Sequence, residues 1–145
     1  MERRARNLDP TEESELDTLF LAGLELLPIE NQEQPDFIVV AIHLLLEAIR
    51  MGEPLPKALT RNDFCSQLGA VYGEQICLQF GWDWLYLMIE GKYEGAAVAN
   101  PERTRVLFPI MALYQWGKEG VENRCLHLFK EIANQESSTG FQILH

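Results

Sequence analysis

The residues best suited to chemistry lie in Leu68 to Leu87, LGAVYGEQICLQFGWDWLYL, where Glu74 and Gln75 follow a spaced glycine pair, Gly69 and Gly73, and Trp82 and Trp84 flank Asp83. A carboxylate beside a strip without side chains can be desolvated and its pKa raised, which is how a general acid is made. Glu74 has no second carboxylate at helical spacing, so exposure or a bond to a sheet edge is the competing reading. The glycines sit inside a helical pattern with no Lys-Ser/Thr behind them; they are read as a packing stripe and not as a phosphate loop. The indoles and Tyr86 offer an aromatic platform for a ligand, against the commoner use of such rings as core. Asp83 is read as exposed or paired with Arg103 or Arg105, with a binding role as the alternative.

Other reactive side chains are more scattered. His43 and Glu47 share a helix face four residues apart, but no HExxH or Cys-His cluster completes a metal site; the pair reads as a histidine bonded to its own glutamate. Cys125 and His127, two apart on a helix, point to different faces. Cys65 falls in a first helical turn, where the dipole lowers a thiol pKa, and is the cysteine to test for reactivity. With no coherent catalytic set, the expectation is a protein that is not an enzyme and carries no cofactor and no metal.

These residues need elements to hold them. In D-P-T-E, residues 9–12, Asp9 caps a helix, Pro10 takes its first position and Glu12 closes a capping box; an apolar stripe runs from Leu16 to Leu27 before Pro28. A second helix, Asp36 to Met51, is apolar nearly all round and is expected to be central. A third begins near Asn62 or Asp63 and ends at Gly81. The period then changes to two: Trp82 to Ile89 is a strand apolar on both faces, E-G-K is a hairpin turn, YEGAAVA a second strand, N-P-E-R a turn and T-R-V-L-F a third strand. Helices Ile110 to Trp116 and Val121 to Asn134 follow. FQIL is either an edge strand or a tail. The expected fold is α+β: N-terminal helices packed on a three-stranded antiparallel meander with C-terminal helices. It forms one domain over residues 1–145, with 1–8 and 135–145 as flexible ends.

Composition narrows the function. The chain has 145 residues, 47% of them apolar, enough to bury a core, and carries a net charge of −10. Residues 1–36 hold ten acids and three bases. That field repels phosphate backbones and anionic lipid and draws in a basic partner, although acidity also serves plain solubility. Three cysteines without CxxC spacing fit a reducing compartment. The N-terminus has no apolar segment like a secretory signal, and the longest apolar run, Phe37 to Ile49, is too short to span a bilayer. A cytoplasmic location is inferred, with no nucleic-acid and no membrane binding.

The pattern L-G-A-V-Y-G-E, the G-W-D-W junction and the later F-P resemble an uncharacterised bacterial domain family, a domain of unknown function, over about Leu68 to Tyr114. The shared residues are mostly structural and imply a fold joint; the resemblance carries no catalytic residues over. Small acidic bacterial immunity proteins are similar in type. The leading expectation is a non-catalytic protein-binding module, an immunity protein or antitoxin that neutralises a toxin through an acidic surface formed by Glu12, Glu13, Glu15 and Asp17. The alternative is a small-ligand-binding protein or enzyme with a pocket at Glu74, Trp82, Asp83 and Trp84. A homodimer through FQIL or the first helix is a third reading.

Overall fold

A computed structural model describes residues 2–29, 34–134 and 140–145. The first helix, α1 (Pro10–Glu25), begins as the sequence directs: the Asp9 side chain accepts from the Glu12 N–H at 2.8 Å, and the Glu12 carboxylate accepts from the Asp9 N–H at 2.9 Å. Reciprocal capping satisfies two backbone donors that a helix start leaves without partners. The second helix, α2, spans Pro35–Arg50. The third, α3 (Arg61–Phe80), is capped by Thr60, whose hydroxyl accepts from the Asp63 N–H, and not by Asn62 or Asp63. It ends at Gly81 in the left-handed region, φ 71°, where a Cβ is costly.

The sheet has five strands, not three. β1 (Arg3–Arg6), β2 (Asp83–Ile89), β3 (Tyr93–Ala99), β4 (Arg105–Leu107) and β5 (Gln142–Ile143) lie side by side in chain order. The first three pairings are antiparallel, and β5 joins β4 in parallel. The central meander is the expected one. The additions are its two edges: residues 3–6 pair with Tyr86 to Ile89 instead of hanging loose, and FQIL supplies an edge strand. Residues 135–139, expected to be flexible, lie outside the described residues. The sheet curls, so that the Arg3 guanidinium on one edge strand lies 3.8 Å from the ring centre of Phe141 beside the other.

Between β4 and β5 come α4 (Pro109–Trp116) and α5 (Cys125–Asn134), the latter starting four residues later than the periodicity suggests because Asn123 accepts from the Cys125 N–H at 3.2 Å. Burial follows the strand alternation. Trp82, Val98 and Leu107 pack with the helices in the larger core, while Leu85, Leu87, Ile89, Ala97 and Val106 form a second core on the opposite face. The central helix is α3, not α2: Leu68, Val71, Tyr72 and Ile76 are fully buried, and the Tyr72 hydroxyl donates to the Cys125 carbonyl at 2.7 Å. In α2, by contrast, Ile38, Val39, Ile42 and Leu46 are buried, but Phe37 and Leu44 each expose 61% of their surface.

Candidate functional site

The glycine stripe on α3 explains how the aromatic junction is built. A Cβ on Gly69 would lie 2.6 Å from the Ile110 Cα, and one on Gly73 would overlap the Trp84 indole and sit 2.8 Å from the Pro109 Cγ. The absent side chains therefore let α4 and β2 press onto the helix. The Trp84 ring, laid over Gly73, donates its Nε1–H to the Glu74 carboxylate at 3.0 Å. Trp82 is a core residue, 4% exposed, with the Arg105 guanidinium 5.6 Å from its ring.

At the rim of this joint is a cleft of about 520 Å³, lined by Glu13 and Asp17 from α1, Glu74 from α3, Asp83 and Trp84 from β2, and Arg103 from the β3–β4 turn. Asn7, Leu8 and Leu16 complete it. Two groups of residues that the sequence presents as rival sites thus share one opening. Glu13 and Asp17 are four apart on α1 and face the same way. Gly81 turns the chain so that β2 returns beside the end of α3, placing Asp83 and Trp84 near Glu74.

The remaining candidates are not brought together there. Both oxygens of Glu12 bind the Arg6 guanidinium, at 2.6 and 3.0 Å, and its pKa falls to about 2, first through that hydrogen bond and then through the Asp9 N–H. Glu15 is exposed on α1 and does not line the cleft, and Trp82 lies beneath it. Asp83 is exposed, and among the described residues no ion pair joins it to Arg103. Arg103, at φ 57°, is a lining residue that the sequence suggests only as a partner for Asp83; its place in the N-P-E-R turn is the one signal for it.

The other reactive groups are committed to the fold. His43 does not bond Glu47: its Nδ1 accepts from the Leu126 N–H at 3.4 Å, while Glu47 pairs with Arg50 at 2.8 Å. Cys65 is buried, and desolvation raises its pKa against the weaker opposing influence of Arg61, so the helix-dipole expectation for it fails. Burial, reinforced by the carboxylates of Glu74 and Asp83, pushes Cys77 up to about 12. Burial alone raises Cys125 well above the usual thiol range.

Among the described residues, no three His, Cys, Asp or Glu side chains converge closely enough to hold a metal ion. The cleft is lined by four carboxylates, those of Glu13, Asp17, Glu74 and Asp83. Trp84 forms part of the wall, its Nε1–H orienting the Glu74 carboxylate. No helix among the described residues is long and apolar enough to cross a membrane. No family model, no curated protein and no solved structure matches the chain.

Proposed function

We propose that this protein is a non-catalytic, cytoplasmic protein-binding module that engages a basic partner through the α1–β2 cleft, in the manner of an immunity protein or antitoxin that masks a toxin. The observation that carries the reading is that Glu13, Asp17, Glu74, Asp83 and Trp84 line one cleft, with Arg103 the one base among its described lining residues. A lysine or arginine side chain entering there meets carboxylates contributed by α1, α3 and β2. The net charge of −10 steers such a partner from a distance.

The binding contacts narrow accordingly. Glu13 and Asp17 from α1 act with Glu74 and Asp83, while Glu12 holds the N-terminal joint and Glu15 contributes long-range field. The test is Glu13→Lys combined with Asp17→Lys, compared with Glu15→Lys, in stopped-flow association with the basic protein that co-purifies from the host. The double variant should slow association at least tenfold at low salt and flatten its salt dependence, and Glu15→Lys should do far less. Equal behaviour of the variants and the parent would defeat the proposal.

A second reading is supported by the volume of the cleft, which falls in the range of small-molecule sites. On that reading the ligand is a small organic cation and no partner protein is involved. Isothermal titration with free amines separates the two: affinity for a small cation that equals affinity for the basic protein would favour the ligand site.

A further inference from the structure

In F-P-I-M-A-L-Y-Q-W, residues 108–116, Phe108, Ala112 and Trp116 recur every four positions and so share one side of α4, with the smallest of the three between two large rings. That notch is the back of a cavity of about 210 Å³ between α4, β3 and β5. Phe108, Ala112 and Trp116 are all buried, and the Trp116 ring is fixed edge-on against Tyr72, ring centres 5.5 Å apart. The mouth is formed by more accessible side chains: Tyr93 from β3, Gln115 from α4 and His145 after β5. Tyr93 joins back to mouth, stacked on Phe108 with ring centres 5.3 Å apart and lying 6.4 Å from the His145 ring. An apolar interior with a few polar groups at its entrance is the pattern of a small-molecule site.

We propose that this cavity binds a small neutral ligand of one or two aromatic rings with a hydrogen-bonding group at one end, such as a phenol or an indole. Size sets the first limit. A cavity of about 150 Å³ takes a benzene ring, so this one admits a single ring with a substituent or a fused pair. Charge sets the second: no Asp, Glu, Lys or Arg occurs among the described lining residues, so an ionised ligand would be desolvated there without a counter-charge. The walls favour aromatic carbon, because Phe108, Tyr93 and Trp116 present ring faces and edges and Met111 adds a polarisable sulfur. The polar end of the ligand is met at the mouth by the Gln115 amide, which both donates and accepts. Ile143 closes the side opposite α4, and its strand is fastened to β4 by the Gln142 N–H donating to the Thr104 carbonyl at 2.7 Å and the Leu144 N–H donating to the Val106 carbonyl at 2.8 Å. A ligand seated against Ile143 therefore also fastens this edge strand.

The site shares no lining residue with the acidic cleft, so the two are tested separately. Indole itself is the probe, titrated into the full chain and followed by NMR. The Trp116 indole N–H and the Gln115 and Ile143 amides should shift saturably, with a dissociation constant of about 1 mM or tighter. Exchange of the Leu144 amide with solvent should slow severalfold when the probe is bound. Ala112→Leu, which fills the notch, should weaken binding at least tenfold, whereas Leu44→Ser, at a separate hollow beside α2, should leave it unchanged. Cyclohexanol, with a saturated ring, should bind at least tenfold more weakly than indole. Contacts in the parent protein require no variant to fold: nuclear Overhauser effects should join the indole protons to the Ala112 methyl. Their absence at saturation overturns the proposal, as does a Trp116 signal that stays still at several millimolar indole, binding that Leu44→Ser abolishes, or equal affinity for cyclohexanol.

Discussion

Arg6 shows how one side chain ties three elements together. Its guanidinium holds both oxygens of Glu12 at the start of α1 and lies 4.1 Å from the ring centre of Tyr86 on β2, while its own backbone belongs to β1. The capping half of this arrangement is readable in D-P-T-E; the Arg6 half is not, because nothing local says that R-R-A-R is a strand. The consequence is a pH signature. A folded-state pKa of about 2, against 4.5 for the free side chain, means that Glu12 stabilises the fold above pH 4.5 and that this contribution is lost as pH falls through about 2. Glu12→Gln should therefore lower stability at neutral pH and remove part of the acid-limb slope in urea unfolding from pH 5 to 2. A Glu12 carboxyl carbon titrating near 4.5 by NMR would show that the Arg6 pair does not form in solution.

Among the elements, α3 bears the most weight, and its glycines are the sensitive points. Gly73→Ala gains helix propensity but sets a Cβ against the Trp84 indole and Pro109, two rigid rings on different elements. Overpacking of this kind outweighs the propensity gain, so the variant should lose about 1–3 kcal/mol in urea unfolding. An unchanged or higher stability would mean that β2 is not seated on α3. The helices and the central hairpin were legible because caps, prolines and glycines act over a few residues. Both edge strands were hidden: β1 is exposed along its whole length and pairs with residues some eighty positions later, so neither alternation nor local propensity marks it. The misjudgement of α2 has a different cause. Apolar residues all round normally signal a central helix, but Phe37, Val40 and Leu44 face outward, and no sequence period distinguishes an apolar side buried in the core from one left exposed.

At the scale of the whole molecule, charge is readable from composition and its shape is not. The acidic bias of residues 1–36 is plain, yet only Glu13 and Asp17 of the four candidate acids in α1 line the cleft. They meet Glu74 and Asp83 there because α1 and β2 converge on the same end of α3, a non-local event. The three basic residues of the N-terminus are exposed but engaged: Arg3 stacks on Phe141, Arg4 pairs with Glu2 at 2.7 Å, and Arg6 is held by Glu12. The cleft itself sets four carboxylates against one guanidinium, Arg103, among its described lining residues.

The most direct measurement is an NMR titration with a short arginine-containing peptide, following the indole N–H signals of Trp82, Trp84 and Trp116. Trp84 donates to Glu74 at the cleft wall while the other two rings are buried, so its signal should move saturably and alone, with the shift suppressed by salt and by Glu13→Gln with Asp17→Asn. A Trp84 signal that stays still, or moves as much with an uncharged peptide of the same length, would contradict the cleft as a receptor for cationic side chains.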